Sequence, residues 1–226
     1  MNEKVKIFSL GDNALTVELG SEISESLNLQ AIKLGDFFER NKFPGLIEIV
    51  PAYASLSIFF QVQTVRRNFP QFATAFAAVK NLAEIALRDL TEITADEPRV
   101  IEIPVSFAVE FAPDLDFVAK KNGLTARRVI DIFTAVTYRV YMLGFLPGFA
   151  YMGEIDERIQ APRKRSPRLE VARGSVGIAG RQTGIYPSVS PGGWQIIGRT
   201  GAELFTPRAE IPCLFRAGDH VRFYQV

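Results

Sequence analysis

Eight cationic side chains crowd one stretch of the sequence. Arg158, Arg163, Lys164, Arg165, Arg168, Arg173, Arg181 and Arg199 lie between positions 158 and 200, and the only acid among them is Glu170. A guanidinium is planar, charged at any relevant pH, and able to donate two parallel hydrogen bonds to a carboxylate or phosphate. The cluster therefore points to an anionic ligand, a small molecule. Each arginine taken singly reads equally well as a solvated rim or as the partner of an acid distant in sequence, so the weight rests on the group. Nucleic acid fits poorly. With 26 basic residues against 25 acidic ones the formal charge is +1, and no basic stripe interleaved with aromatics is present.

Other chemistries are excluded by what the chain lacks. One histidine, His220, and one cysteine, Cys213, are too few nitrogen and sulfur donors for a zinc site, so no metal is expected. His220 sits beside Asp219 in an alternating stretch and reads as structural, and Cys213 reads as a core residue that cannot form an internal disulfide. Neither a phosphate-cradling G-x-x-x-x-G-K-[ST] loop nor a G-x-G-x-x-G dinucleotide turn occurs. The first residues run directly into a strand-like pattern without a secretory signal, and charges or prolines interrupt every apolar run before about 18 residues. A cytoplasmic protein without a membrane span is expected.

The elements that must carry the cationic stretch can be read from periodicity. Lys6 to Leu19 alternates around a Gly11-Asp12-Asn13 turn, a hairpin pattern. Ser21 or Ser24 can cap a helix whose apolar positions Ile23, Leu27, Ala31, Leu34 and Phe38 recur at helical spacing up to Asn41. Strands are expected over Leu46 to Val50 and around Leu56, Ile58 and Phe60. A second helix is expected from Asn68-Phe69-Pro70, burying Phe72, Phe76, Val79, Ala83 and Ala86. The polar run Thr94 to Pro98 is the best boundary, dividing a small α+β domain (1–96) from a mainly β, barrel-like domain (97–226). That second domain opens on Ile101 to Phe107, where Pro104 argues for an edge strand. Helices follow from Pro113-Asp114 to Gly123 and from Thr125 to about Val136. Thereafter short apolar stretches alternate with turns, and 11 of the 17 glycines fall between Gly144 and Gly201. Pro191-Gly192-Gly193-Trp194 reads as a turn followed by a core aromatic.

Read as strings, these turns carry a family resemblance. Gly144-Phe145-Leu146-Pro147-Gly148-Phe149-Ala150-Tyr151 resembles the signature of the 5-oxoprolinase B-subunit family, also called KipI or allophanate hydrolase subunit 1. In order follow Ala161-Pro162-Arg163, Ser166-Pro167-Arg168, Gly174 to Gly180, Gln182 to Pro187, Pro191 to Trp194 and Gly198-Arg199-Thr200, all similar to that pattern. The resemblance implies a cyclophilin-like β-barrel for the second domain. It also implies two partners, the KipA-like C-type and the A-type subunits of 5-oxoprolinase. With them the family opens 5-oxoproline to glutamate, ATP being a co-substrate of the complex. Two alternatives stay open: inhibition of a sensor histidine kinase by protein contact, and a carboxyltransferase role as in urea carboxylase. By placement within the matching motifs, Tyr151, Arg163, Arg168, Gln182, Tyr186 and Arg199 are expected to bound a groove for the anion. No catalytic residue is assigned. The chain departs from the family pattern where Phe107-Ala108-Val109 replaces Tyr-Gly-Gly and where Phe133 replaces a histidine.

Overall fold

The computed structural model describes residues 5–90 and 97–226, which form two compact units, one ending at Glu97 and the other beginning at Pro98. The boundary expected near residue 96 lies outside the described residues. In the first unit β1 (Lys6–Ser9) and β2 (Ala14–Glu18) form the hairpin, followed by α1 (Glu25–Arg40), β3 (Leu46–Pro51), β4 (Ser55–Phe60), α2 (Val62–Asn68) and α3 (Ala75–Arg88). The antiparallel sheet has the order β1-β2-β4-β3. Leu15, Val17, Leu56, Ile58 and Phe60 are its buried positions, and they share one cluster with Leu34 and Phe38 of α1 and Val79 and Ala83 of α3.

The second helix of this unit differs from the expectation. Val62–Asn68 is already helical, Phe69 ends it, and α3 begins only at Ala75, where the Thr74 hydroxyl accepts the Ala77 N–H at 3.0 Å. Proline in a helix-start pattern is permissive rather than decisive. The side-chain cap at Thr74 satisfies a donor that Pro70 could not, and so fixes the start.

The second unit contains β5 (Val100–Val105), α4 (Leu115–Lys121), α5 (Ala126–Thr134), β6 (Thr137–Leu143) and β7 (Ala150–Gly153). Then come β8 (Arg168–Val171), β9 (Ser175–Ala179), β10 (Gln182–Ile185), β11 (Ser190–Gly192), β12 (Gln195–Arg199) and β13 (His220–Gln225). Seven strands form a mixed sheet in the order β12-β9-β10-β7-β6-β13-β5, with β5 and β13 parallel. β5 is an edge strand, which is where Pro104 is tolerated. Beyond it, Ser106 and Arg199 exchange backbone hydrogen bonds of 2.8 and 2.9 Å, so the two edges meet and the sheet is nearly closed, barrel-like. Gly198 permits that approach: a Cβ there would stand 2.7 Å from Val105 Cγ1. β8 and β11 form a separate two-stranded ribbon.

The barrel core runs through Ile103, Val105, Val140, Val176, Ile178, Ile197 and Val221. Phe133 is fully buried there, stacked on Phe223 at 4.9 Å and edge-on to Phe107 at 6.4 Å. Phe107 and Phe133 are thus neighbours in one apolar cluster. Tyr138 closes that cluster. Its hydroxyl donates to the Phe133 carbonyl at 2.8 Å, and burial pushes its phenol far above the usual tyrosine range. Cys213 is half-buried and bridges to Phe205, so it is less enclosed than the sequence suggested. Among the described residues no helix is long and apolar enough to cross a membrane.

Candidate functional site

A cavity of about 310 Å³ opens in the second unit, walled by Phe145, Phe149, Tyr151, Tyr186 and Trp194 and rimmed by Arg163 and Lys164. The rings interlock edge to face: Phe149 lies 4.9 Å from Tyr151, 5.5 Å from Tyr186 and 5.5 Å from Trp194. Such geometry sets the positive edge of one ring against the negative face of the next.

Glycines make the wall possible. A Cβ on Gly184 would stand 2.8 Å from Phe149 Cζ, one on Gly177 would stand 3.0 Å from Trp194 Cβ, and one on Gly192 would collide with the Tyr186 hydroxyl. The loop before β7 contributes Phe145, the more exposed ring (59% accessible), which has φ 68°. The Leu146 N–H donates to the Gly144 carbonyl at 2.8 Å, so Phe145 is the centre of a γ-turn. A positive φ is strained for a residue carrying a bulky side chain, and here it holds the ring over the cavity, 6.3 Å from Tyr186.

The polar groups are few. The Arg163 guanidinium carbon lies 5.9 Å from the centroid of the Trp194 ring, and Arg163 has no acidic partner among the described residues. Burial raises the pKa of Tyr186, against the opposing effect of the Trp194 backbone N–H bonded to its oxygen, so the phenol keeps its proton and can donate it. Among the described residues lining the cavity there is no carboxylate or imidazole. The arrangement can hold a small, partly apolar molecule bearing one negative charge, with the Tyr186 hydroxyl as a donor beside the cationic rim.

Asp114 holds the rim. It is 5% exposed, and its carboxylate accepts both terminal nitrogens of Arg168 at 2.8 Å, Lys164 Nζ at 3.1 Å and the Ile196 N–H at 2.7 Å. Burial pushes its pKa up, but the four donors outweigh it and hold the carboxyl below the usual range. The Lys164 N–H in turn donates to the Gly193 carbonyl at 2.7 Å. One buried carboxylate therefore ties the start of α4, strand β12 and the 164–168 segment together.

The six expected side chains are not gathered in one groove. Tyr151, Arg163 and Tyr186 line the aromatic cavity. Arg168 is turned toward Asp114, and both of its terminal nitrogens are used there. Arg199 stands at the barrel seam, lining a different cavity, and shares a smaller one with Arg168. Gln182 starts β10 opposite Gly153 and Ala179 and does not line the aromatic cavity. The physical reason is strand alternation and charge pairing: short strands between tight turns send neighbouring motif residues to different faces, and distant acids claim several arginines. Arg173 pairs with Glu203 and Arg181 with Glu154, while Arg158 pairs with the nearby Asp156, two positions away.

Sequence reasoning missed Phe145, Phe149 and Trp194 as cavity residues and Asp114 as the anchor. For the aromatics the signal was present, in rings set among glycines that leave them room. For Asp114 it was not, because a single Asp after proline reads as a helix cap.

The second unit is thus a nearly closed mixed barrel bearing an aromatic cavity, with Arg163 at the rim lacking an acidic partner among the described residues. The chain belongs to the carboxyltransferase domain, subdomain C and D, family, whose model matches residues 5–215. The resemblance to the 5-oxoprolinase B-subunit family holds: the B subunit of 5-oxoprolinase from Bacillus subtilis (strain 168) is 45% identical over 227 residues, all of this chain and 95% of that protein. More distantly, urea amidolyase of Saccharomyces cerevisiae is 26% identical over 259 residues, covering all of this chain but 13% of that protein. Among solved structures, the crystal structure of TTHA0988 superposes with a TM-score of 0.78 at 35% identity over 94% of this chain. The chain spans 40% of the length of that protein.

Proposed function

We propose that this chain is the cytoplasmic B subunit of an ATP-dependent 5-oxoprolinase, acting with the C-type and A-type subunits, and that its aromatic cavity receives the carboxylate-bearing ring of the substrate. Its barrel is then the cyclophilin-like domain of that family. The observation that carries the reading is Arg163, held over Trp194 without an acidic partner among the described residues, at the mouth of a cavity of about 310 Å³. A guanidinium over an indole face keeps its outer N–H groups available for a carboxylate, and the rings match the flat faces of a lactam.

The test is co-expression with the C-type and A-type subunits and assay of ATP- and 5-oxoproline-dependent glutamate release, omitting each component in turn. Arg163→Ala should raise KM for 5-oxoproline by about 10- to 100-fold, the worth of one charge-assisted hydrogen bond. Unchanged KM in that variant, with activity present, would remove the cavity assignment; absence of glutamate release from the full complex would remove the function. The family match itself favours one second reading, a carboxyltransferase component working with a biotin-bearing partner. Its sign would be activity that depends on biotin and bicarbonate instead of 5-oxoproline.

A further inference from the structure

Away from the aromatic cavity, the seam at which the barrel closes has a cavity of its own, about 490 Å³, lined by Ser106, Phe111, Arg173, Arg199, Thr200 and Gly201 among others. Arg199 is fixed there from two sides. Its Nε donates to the Arg173 carbonyl at 2.9 Å, and its guanidinium carbon lies 5.6 Å from the centre of the Phe111 ring. Neither terminal nitrogen of Arg199 has a partner among the described residues. An arginine whose stem is already immobilised loses little further freedom on binding, so its free edge is a preorganised anion receptor.

On the seam-cavity side the neighbouring groups add donors, while the other side of Arg199 borders a smaller cavity shared with Arg168, Glu110 and Glu170. Thr200 is buried, and its hydroxyl oxygen accepts the Ala202 N–H at 3.1 Å, which leaves the hydroxyl proton to give. Gly201 keeps its N–H without a partner among the described residues, and Ser106 adds a second hydroxyl. Arg173 is paired with Glu203 at 3.5 Å, but both side chains are half or more exposed, and surface pairs of that kind exchange readily with a competing anion. Phe111 and Pro104 give the cavity an apolar wall.

We propose that this seam cavity is a second ligand site, independent of the aromatic one, which binds an oxyanion through the free edge of Arg199 together with Arg173. Its ligand is the phosphate or carboxylate of a small molecule. The site bridges the end of β5 and the end of β12, so an anion bound there strengthens the closure that Ser106 and Arg199 make with two backbone hydrogen bonds.

The test is calorimetric titration of the intact chain with inorganic phosphate and, separately, with acetate, at ionic strength matched by potassium chloride. Saturable binding of phosphate alone identifies a phosphate site; competition by acetate identifies a general oxyanion site, and either supports the proposal. Arg199→Gln and Arg173→Gln should each weaken binding at least 10-fold. Gly201→Asp is the second kind of variant. An added Cβ there meets nothing within 4 Å, so it places a carboxylate at the rim while leaving both arginines, and it should abolish binding of added anion. Arg163→Ala reports on the other cationic site. The proposal is overturned if no saturable heat is seen above the chloride control, if binding survives both Arg199→Gln and Gly201→Asp, or if only Arg163→Ala removes it.

Discussion

At the scale of single residues, the buried charge at Asp114 has the largest consequences. Two cations and a backbone N–H converge on a carboxylate that is 5% exposed, while Lys164 and Arg168 remain partly accessible, with side chains 29% and 28% exposed. Asp114→Asn preserves an acceptor for the Ile196 N–H but leaves both cations without their counter-charge. Removing one partner of a buried pair costs about 3–5 kcal/mol, and partial solvation of these cations reduces that to about 2–3 kcal/mol here. The sign of the pH dependence follows from the lowered carboxyl pKa. The unfolded chain binds the proton more readily, so the stabilisation is complete above the unfolded value of about 3.9 and is lost as pH falls through the lower folded value. Urea titrations should therefore show the gap between wild type and Asp114→Asn open at pH 7 and shrinking below pH 4. A gap independent of pH would mean that shape, not charge, is what Asp114 supplies. None of this was legible beforehand, because its partners lie 50, 54 and 82 positions away in the sequence.

At the scale of elements, local patterns were legible to the extent that they answered to local physics. The α1 face of Leu27, Ala31, Leu34 and Phe38, the β1–β2 turn, the edge position of β5 and the Thr125 cap of α5 follow from spacing and side-chain chemistry within a few residues, whereas Ile23, expected on that face, precedes the helix and is exposed. The start of α3 did not, because Pro70 and Thr74 both fit a helix beginning and only the hydrogen bond to Ala77 decides between them. The glycine-rich half was legible as unusual but not as a wall. Many of its glycines answer to neighbours rather than to backbone strain, and neighbours are set by strand pairing. Two of them, both without a positive φ, separate the effects. Gly184→Ala drives a Cβ to 2.8 Å from Phe149 Cζ and 2.9 Å from the Ala150 carbonyl, whereas Gly193→Ala meets Pro167 at an ordinary 3.7 Å. Overpacking of the first kind costs about 1–3 kcal/mol, and the second should stay within about 0.5 kcal/mol of wild type. Equal effects in guanidinium unfolding would show that the aromatic wall is loosely packed.

At the scale of the whole molecule, the question is whether the two units carry their own stability. The cluster around Leu15, Leu34 and Phe60 draws its members from residues 7–90, and those around Val140 and Trp194 draw theirs from residues 101–223. A unit that buries its own apolar surface has the main driving force for folding within itself. The chain has one tryptophan, Trp194, so indole emission reports on the second unit alone, while far-UV ellipticity reports on helices of both. Two-state behaviour requires coincident transitions by both probes. In urea the two curves should separate, and a fragment of residues 98–226 should keep a cooperative transition whose emission midpoint matches that of the intact chain. The slope of that transition should be smaller than expected for 226 residues, since it scales with the surface exposed. If the fragment is unfolded, or if the intact chain shows one coincident transition with the full-length slope, then the barrel depends on the first unit for its stability and the seam at Ser106 and Arg199 does not suffice to close it.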